Sequence, residues 1–227
     1  MHRHFDEQLR ELHGKLMLMG GLAESMVGLA VQNLVDRNES KSVEVFEKED
    51  EVNDLEIEVD DRAVKLTALQ QPVGADVRFL FTVLRVATDL ERIADQAVNV
   101  CQNVHHFLQY APAATVDLTE MAEISCRMVH ESLEALARKD CEEAKKVLED
   151  ERRVDELKDR AFRGLLESMI ADPATIRSGV ALLLISRNLE RVGDHATNIA
   201  EEVIYLVQGR DVRHHHEEKT RKLKARS

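Results

Sequence analysis

Tryptophan is absent from this chain and aromatic residues make up only 4% of it. Large sheets draw on aromatic and β-branched runs, so this poverty argues against one. Only three prolines and nine glycines interrupt 227 residues. Cysteine is scarce as well: Cys101, Cys126 and Cys141 are an odd number with no close pair, which suggests neither a disulfide framework nor a Cys-x-x-Cys zinc site and fits a reducing compartment. The first residues, Met1-His2-Arg3-His4-Phe5-Asp6, carry charge where a signal peptide needs an apolar run. No uncharged apolar stretch approaches the roughly 20 residues that span a bilayer, so a soluble, cytoplasmic protein is expected. Cationic surplus is missing too. A formal net charge of -12 argues against a nucleic-acid role and makes cations the more natural ligands.

Catalytic signatures are equally wanting. There is no Gly-x-Ser-x-Gly elbow and no phosphate-cradling Gly-x-x-x-x-Gly-Lys, and none of the ten histidines has Glu three residues before it, as a carboxylate-bridged di-iron bundle requires. No reaction can be assigned, and the chain reads as a non-enzyme.

What is present is helical. Hydrophobic residues make up 44% and charged residues 33%. Apolar side chains recur every three or four positions from about Phe5 to Arg37, including Leu9, Leu12, Leu16, Met19, Leu22, Met26, Leu29, Ala30 and Leu34, which specifies one long amphipathic helix. Gly20-Gly21 inside it is expected to serve close packing. After a polar break at Asp36–Ser40, a second helix carries Val45, Val52, Leu55, Val59, Val64, Leu66 and Leu69 as far as Gln71. Pro72-Val73-Gly74-Ala75 ends it, and Asp76 is the expected N-cap of a third helix that runs to Tyr110-Ala111-Pro112. The second half repeats the plan, with a break at Arg138-Lys139-Asp140, a helix from about Cys141, Pro173 in the part of Pro72, and a stop at Gly209. The expected fold is all-α: two tandem antiparallel three-helix bundles over 1–112 and 113–209, related by internal duplication. A basic tail over 210–227 has seven Lys and Arg against three acids, and is expected to be a frayed, solvated end.

The duplication is visible residue by residue. Leu90-Glu91-Arg92-Ile93-Ala94-Asp95-Gln96-Ala97-Val98-Asn99 returns as Leu189-Glu190-Arg191-Val192-Gly193-Asp194-His195-Ala196-Thr197-Asn198, and Glu49-x-x-Val52-Asn53-x-Leu55 returns as Glu151-x-x-Val154-Asp155-x-Leu157. Oxygen-bearing side chains four apart stand nearly above one another on a helix. With Leu90 at the centre of the apolar stripe, Glu91, Asp95 and Asn99 run along its flank. Each half thus offers two columns: Glu49 with Asn53 and Glu91 with Asp95 and Asn99, then Glu151 with Asp155 and Glu190 with Asp194 and Asn198. Two readings are open. Such carboxylates suit a hard or borderline cation, or they are solvated helix faces with Arg92 and Arg191 as ion-pair partners. His195 reads as a helix-surface histidine, and His214-His215-His216 as an exposed run that binds metals loosely.

With both Leu-Glu-Arg segments and both Glu-x-x-Val segments in view, along with Pro72 and Arg78 matched by Pro173 and Arg177, the chain resembles the PhoU family of accessory regulators of bacterial phosphate uptake, over about residues 5 to 209. That resemblance implies dimerisation, action without catalysis, and multinuclear iron or zinc clusters on Glu/Asp-x-x-x-Asp surfaces. The matching positions are Glu49, Glu91, Asp95, Glu151, Asp155, Glu190 and Asp194; Asn53 departs from the acidic pattern, and Asn99 and Asn198 flank it. The second half is therefore the expected fuller metal face. The resemblance further implies repression of the phosphate-starvation response by linking the phosphate ABC transporter to the sensor histidine kinase, with the membrane reached only through those partners. The alternative is a carboxylate metalloprotein with enzymatic or metal-storage activity.

Overall fold

The computed structural model describes residues 2–110 and 116–212. Among them are six α-helices and no strand: α1 (His2–Val35), α2 (Ser42–Gln70), α3 (Ala75–Leu108), α4 (Thr119–Arg138), α5 (Cys141–Ala171) and α6 (Ile176–Gln208), with a single 3-10 turn, Pro173–Thr175, ahead of α6. Helices α1–α3 pack on one another, and so do α4–α6. The two bundles then join through α3 against α6 and α1 against α4. Pro112 and the tail from residue 213 onward, including the three consecutive histidines, lie outside the described residues.

The breaks have local causes, and the two repeats use the same one after their first helices. Arg37 (φ 49°) and Lys139 (φ 54°) both take the left-handed conformation that closes a helix. Behind them the amides of Asn38 and Asp140 bond back to the carbonyls of Asn33 (3.0 Å) and Ala135 (2.9 Å). Asp140 then caps α5, accepting from the amides of Glu142 (2.8 Å) and Glu143 (3.2 Å). Asp76 does not play this role for α3. The cap position is Gly74 (φ 58°), with no side-chain acceptor, and Asp76 sits inside the first turn, where its carboxylate faces the positive end of the helix dipole. Gly209 (φ 67°) ends α6 as expected.

The core is continuous across both bundles. Leu12, Leu16, Met19 and Met26 of α1, Leu90 and Ile93 of α3, Met121 and Met128 of α4, and Ile185 and Leu189 of α6 are fully buried. In α2 the buried stripe is narrow, Val45, Val52, Val59 and Leu66 at seven-residue intervals with Ala63 beside them. Val64 and Leu69, which extend the apolar pattern of this helix, are 62% and 77% exposed, because the buried stripe of this peripheral helix is only about one residue wide. Gly20 has the packing role expected of it. A Cβ there would lie 2.6 Å from Leu133 Cδ2 of α4, so a larger residue would force the Leu133 side chain to shift, while Gly21 faces open space. Helix α1 is long and apolar enough to cross a membrane. Its apolar side is buried in the bundle, and its internal acid Glu24 accepts from His130 Nδ1 of α4 at 2.9 Å.

Candidate functional site

The duplicated motifs sit in the middle of α3 and α6, the two helices that join the bundles. Leu90, Ile93, Ala94, Ala97 and Val98 point into the core, as do Leu189, Val192, Gly193 and Ala196. Glu91, Asp95 and Asn99 are half-buried along the edge of α3, facing α2. The columns therefore border the core without entering it.

In the first bundle, loss of hydration and the charges of Asp95, Asp50 and Glu91 raise the carboxyl of Glu49 above its ordinary range. Glu91 is raised by burial and by Asp95, against the pull of Arg92. Arg92 reaches Glu91 at 3.3 Å and Asp95 at 3.5 Å, the ion pairing that a solvated face would use. Glu56 joins this group, raised by burial and by Asp60 and Asp95. The sequence reading passed over it.

The second bundle is organised differently. Glu56 has its counterpart in Lys158, the residue that follows Leu157 as Glu56 follows Leu55. Lys158 Nζ donates to Glu190 Oε1 at 2.7 Å and to Asp155 Oδ1 at 3.0 Å. Burial opposes its charge, but these two hydrogen bonds outweigh burial and hold the ammonium well above the usual lysine range. Among the described residues Asp194 has no such partner. Although Asp194 keeps an exposed side, partial loss of hydration and then the charges of Glu190, Glu151 and Asp155 push its carboxyl up to about 6, with His195 pulling the other way. Glu151 is likewise raised by burial and Asp155. Arg191 makes no ion pair among the described residues, unlike its counterpart Arg92.

Two expected site residues have other work. Asn198 leaves the acidic column and donates its Nδ2 to Asp89 Oδ1 of α3 at 3.0 Å. His195 is no plain surface histidine: it is half-buried, and its Nδ1 meets the same Asp89 oxygen at 2.9 Å. The reason is the antiparallel crossing of α3 and α6, which carries this flank of α6 over to α3. One turn further on, buried Glu202 accepts from Arg85 Nη1 at 3.0 Å, and Thr82 Oγ1 lies 3.4 Å from its other oxygen. Asn53 and Asn99 remain half-buried beside the first column.

Among the described residues no three His, Cys, Asp or Glu side chains stand close enough together to hold a metal ion. The donor chemistry separates the halves. In the second, an ammonium already lies between Asp155 and Glu190, so that face does not suit a metal cluster in this arrangement. In the first, Glu49, Glu91 and Asp95 repel one another, offset by the exposed Arg92 and, at Glu91, more weakly by His195, and this face has the chemistry for a cation without the converged geometry. Lys158, which distinguishes the two faces, is a residue that the second-half motif did not include.

A family model described as PhoU domain matches residues 16–104 and 118–203. The chain is 36% identical over 212 residues to the phosphate-specific transport system accessory protein PhoU homolog of Pseudomonas aeruginosa, covering 92% of this chain and 88% of that one. The crystal structure of PhoU from Pseudomonas aeruginosa superposes with a TM-score of 0.87 at 35% identity, over 91% of this chain and 100% of that one. The phosphate transport system regulatory protein PhoU from Streptococcus pneumoniae shares the fold with a TM-score of 0.83 at 24% identity, over 92% and 99% of the two chains. Two tandem matches, one on each bundle, place this chain in the PhoU family.

Proposed function

We propose that this chain is a phosphate-transport accessory protein, a cytoplasmic, non-catalytic adaptor that represses the phosphate-starvation response by touching both the phosphate ABC transporter and the sensor histidine kinase. The observation that supports it most is the tandem family match, one domain on each bundle, shared with relatives named as accessory proteins of that transport system. Two bundles of the same plan offer two related side surfaces, which suits a molecule that bridges two partners, and a homodimer would double each. Deleting the gene tests the reading. Phosphate-starvation reporters should switch on in high phosphate, and output that stays low in the deletion strain would sink it.

A second reading, a transition metal such as iron or zinc on the carboxylates, is supported in the first bundle alone by the mutual repulsion of Glu49, Glu91 and Asp95. Elemental analysis after gentle purification should find metal that disappears in the Glu91→Gln, Asp95→Asn double variant and persists in Glu190→Gln, Asp194→Asn. Metal content unaffected by the first pair would make these columns ordinary solvated faces.

A further inference from the structure

The seam between the repeats opens into a pocket at each end, and both pockets are walled by the ends of the same four helices, α1, α3, α4 and α6. At the C-terminal end of α1 the pocket encloses about 340 Å³, and its charged residues are Arg37 and Asp117. Arg37 lies over the Phe107 ring at 5.9 Å, and Asp117 accepts from the Thr119 amide at 2.8 Å. Both charges there have partners within the fold.

The pocket at the N-terminal end of α1, about 380 Å³, is different. Arg10 and His13 of α1 and Lys139 from the end of α4 surround it, against one acid, Asp76. In a chain of net charge -12 this is a local reversal of sign. Among the described residues none of the three cations has an ion-pair partner. Lys139 is fixed at the rim by its left-handed backbone (φ 54°), and it stands near enough to His13 to oppose, after burial, protonation of the imidazole. The first turn of α3, through Ala75 and Asp76, also lines the pocket, its positive end already faced by the Asp76 carboxylate. The remaining wall is apolar: Leu9, Phe79, Ala137 and Leu206, with the His13 and Phe79 rings 6.2 Å apart.

We propose that this pocket binds a small amphipathic anion, an acidic head held by Arg10, Lys139 and His13 and a compact apolar body set against Phe79, Leu9 and Leu206. Its volume lies at the lower end of the range for small-molecule sites and matches a ligand of about one ring. An anion there relieves the repulsion between Lys139 and His13, so binding draws a proton onto the imidazole. The groups that face His13 are Arg10 on its own helix, Asp76 from α3 and Lys139 from α4; α6 presents the apolar Leu206.

Titration of the full chain with phenyl phosphate and with benzoate, followed by calorimetry and by the His13 imidazole resonance, tests this assignment. At least one of the two should bind, more tightly at about pH 6 than at about pH 8, with the His13 resonance moving toward its protonated position. Lys139→Gly, which keeps a residue at ease in the left-handed region, should weaken binding about tenfold, and Arg10→Gln should do the same. Arg37→Gln, at the matching pocket, should leave it unchanged. Failure of both probes to bind overturns the proposal, as does equal binding by Lys139→Gly. Inorganic phosphate binding as tightly as phenyl phosphate would overturn the role of the apolar wall. Co-sedimentation with phosphatidylglycerol vesicles that is lost in Lys139→Gly would assign the head group to a lipid and overturn the free ligand.

Discussion

The two acidic faces descend from one pattern and solve the same electrostatic problem in opposite ways. The second bundle carries its own cation, Lys158, bonded to Asp155 and Glu190. The first places Glu56 at that position and adds a fourth carboxylate to a group already crowded by Glu49, Glu91 and Asp95. A duplicated backbone therefore does not fix a duplicated site. One side chain on the neighbouring helix decides whether the carboxylates are neutralised from within or left to repel.

Where the halves agree most closely, in the core, the largest effects are expected. Leu90 and Leu189 are 0% and 1% exposed at equivalent places, so either Leu→Ala change should cost about 2–5 kcal/mol. Because the core is continuous, each should lower one shared unfolding transition in denaturant titrations. Two separated transitions, or a loss confined to one variant, would break the equivalence.

A smaller effect is expected where the halves diverge. Lys158→Glu should destabilise by about 1–2 kcal/mol and Glu56→Lys should stabilise by about 1 kcal/mol, since each imports the other half's arrangement. Melting midpoints of the single and double variants check this. Glu56→Lys should also abolish any metal content of the first bundle, because an ammonium would then lie where a cation has its best donors.

The smallest effect belongs to Asp194. Its carboxyl is pushed up to about 6, first by burial and then by Glu190, Glu151 and Asp155, so the folded chain keeps a proton that the unfolded chain has released. Stability contributed by that proton is lost as pH rises from about 4 through about 6. Asp194→Asn should therefore be more stable than the parent at neutral pH, by about 1 kcal/mol or less given the solvent exposure of the side chain, and the gap should close in acid. A difference that persists unchanged at about pH 4 would mean that asparagine acts through packing.

The six helices were legible because their apolar residues repeat at the helical period and their breaks coincide with polar or proline-bearing stretches. Leu90, Ile93, Ala94 and Ala97 fell where the stripe placed them. Val64 and Leu69 belong to the apolar pattern of α2 yet lie exposed, since periodicity alone does not reveal how narrow the contact of an outer helix is. At the site, the half-buried columns on α3 could be read from spacing within one helix. The role of Lys158 could not, because it depends on Glu190 in a different helix, although extending the alignment of the two Glu-x-x-Val segments by one residue would have set Lys158 beside Glu56. The turn of Asn198 and His195 toward Asp89 was out of reach for the same reason: it is a property of how α3 and α6 cross.

That crossing has a consequence for the chain's history and handling. Each repeat ends on a long helix that lies along the other repeat's final helix, so a half expressed alone would present to water the face that carries Thr82, Arg85 and Asp89, or His195, Asn198 and Glu202, together with the apolar contacts of that seam. Such a half would aggregate or pair with a second copy of itself, re-creating the missing neighbour between molecules. Two separately expressed halves, mixed at refolding, should find each other and restore the whole.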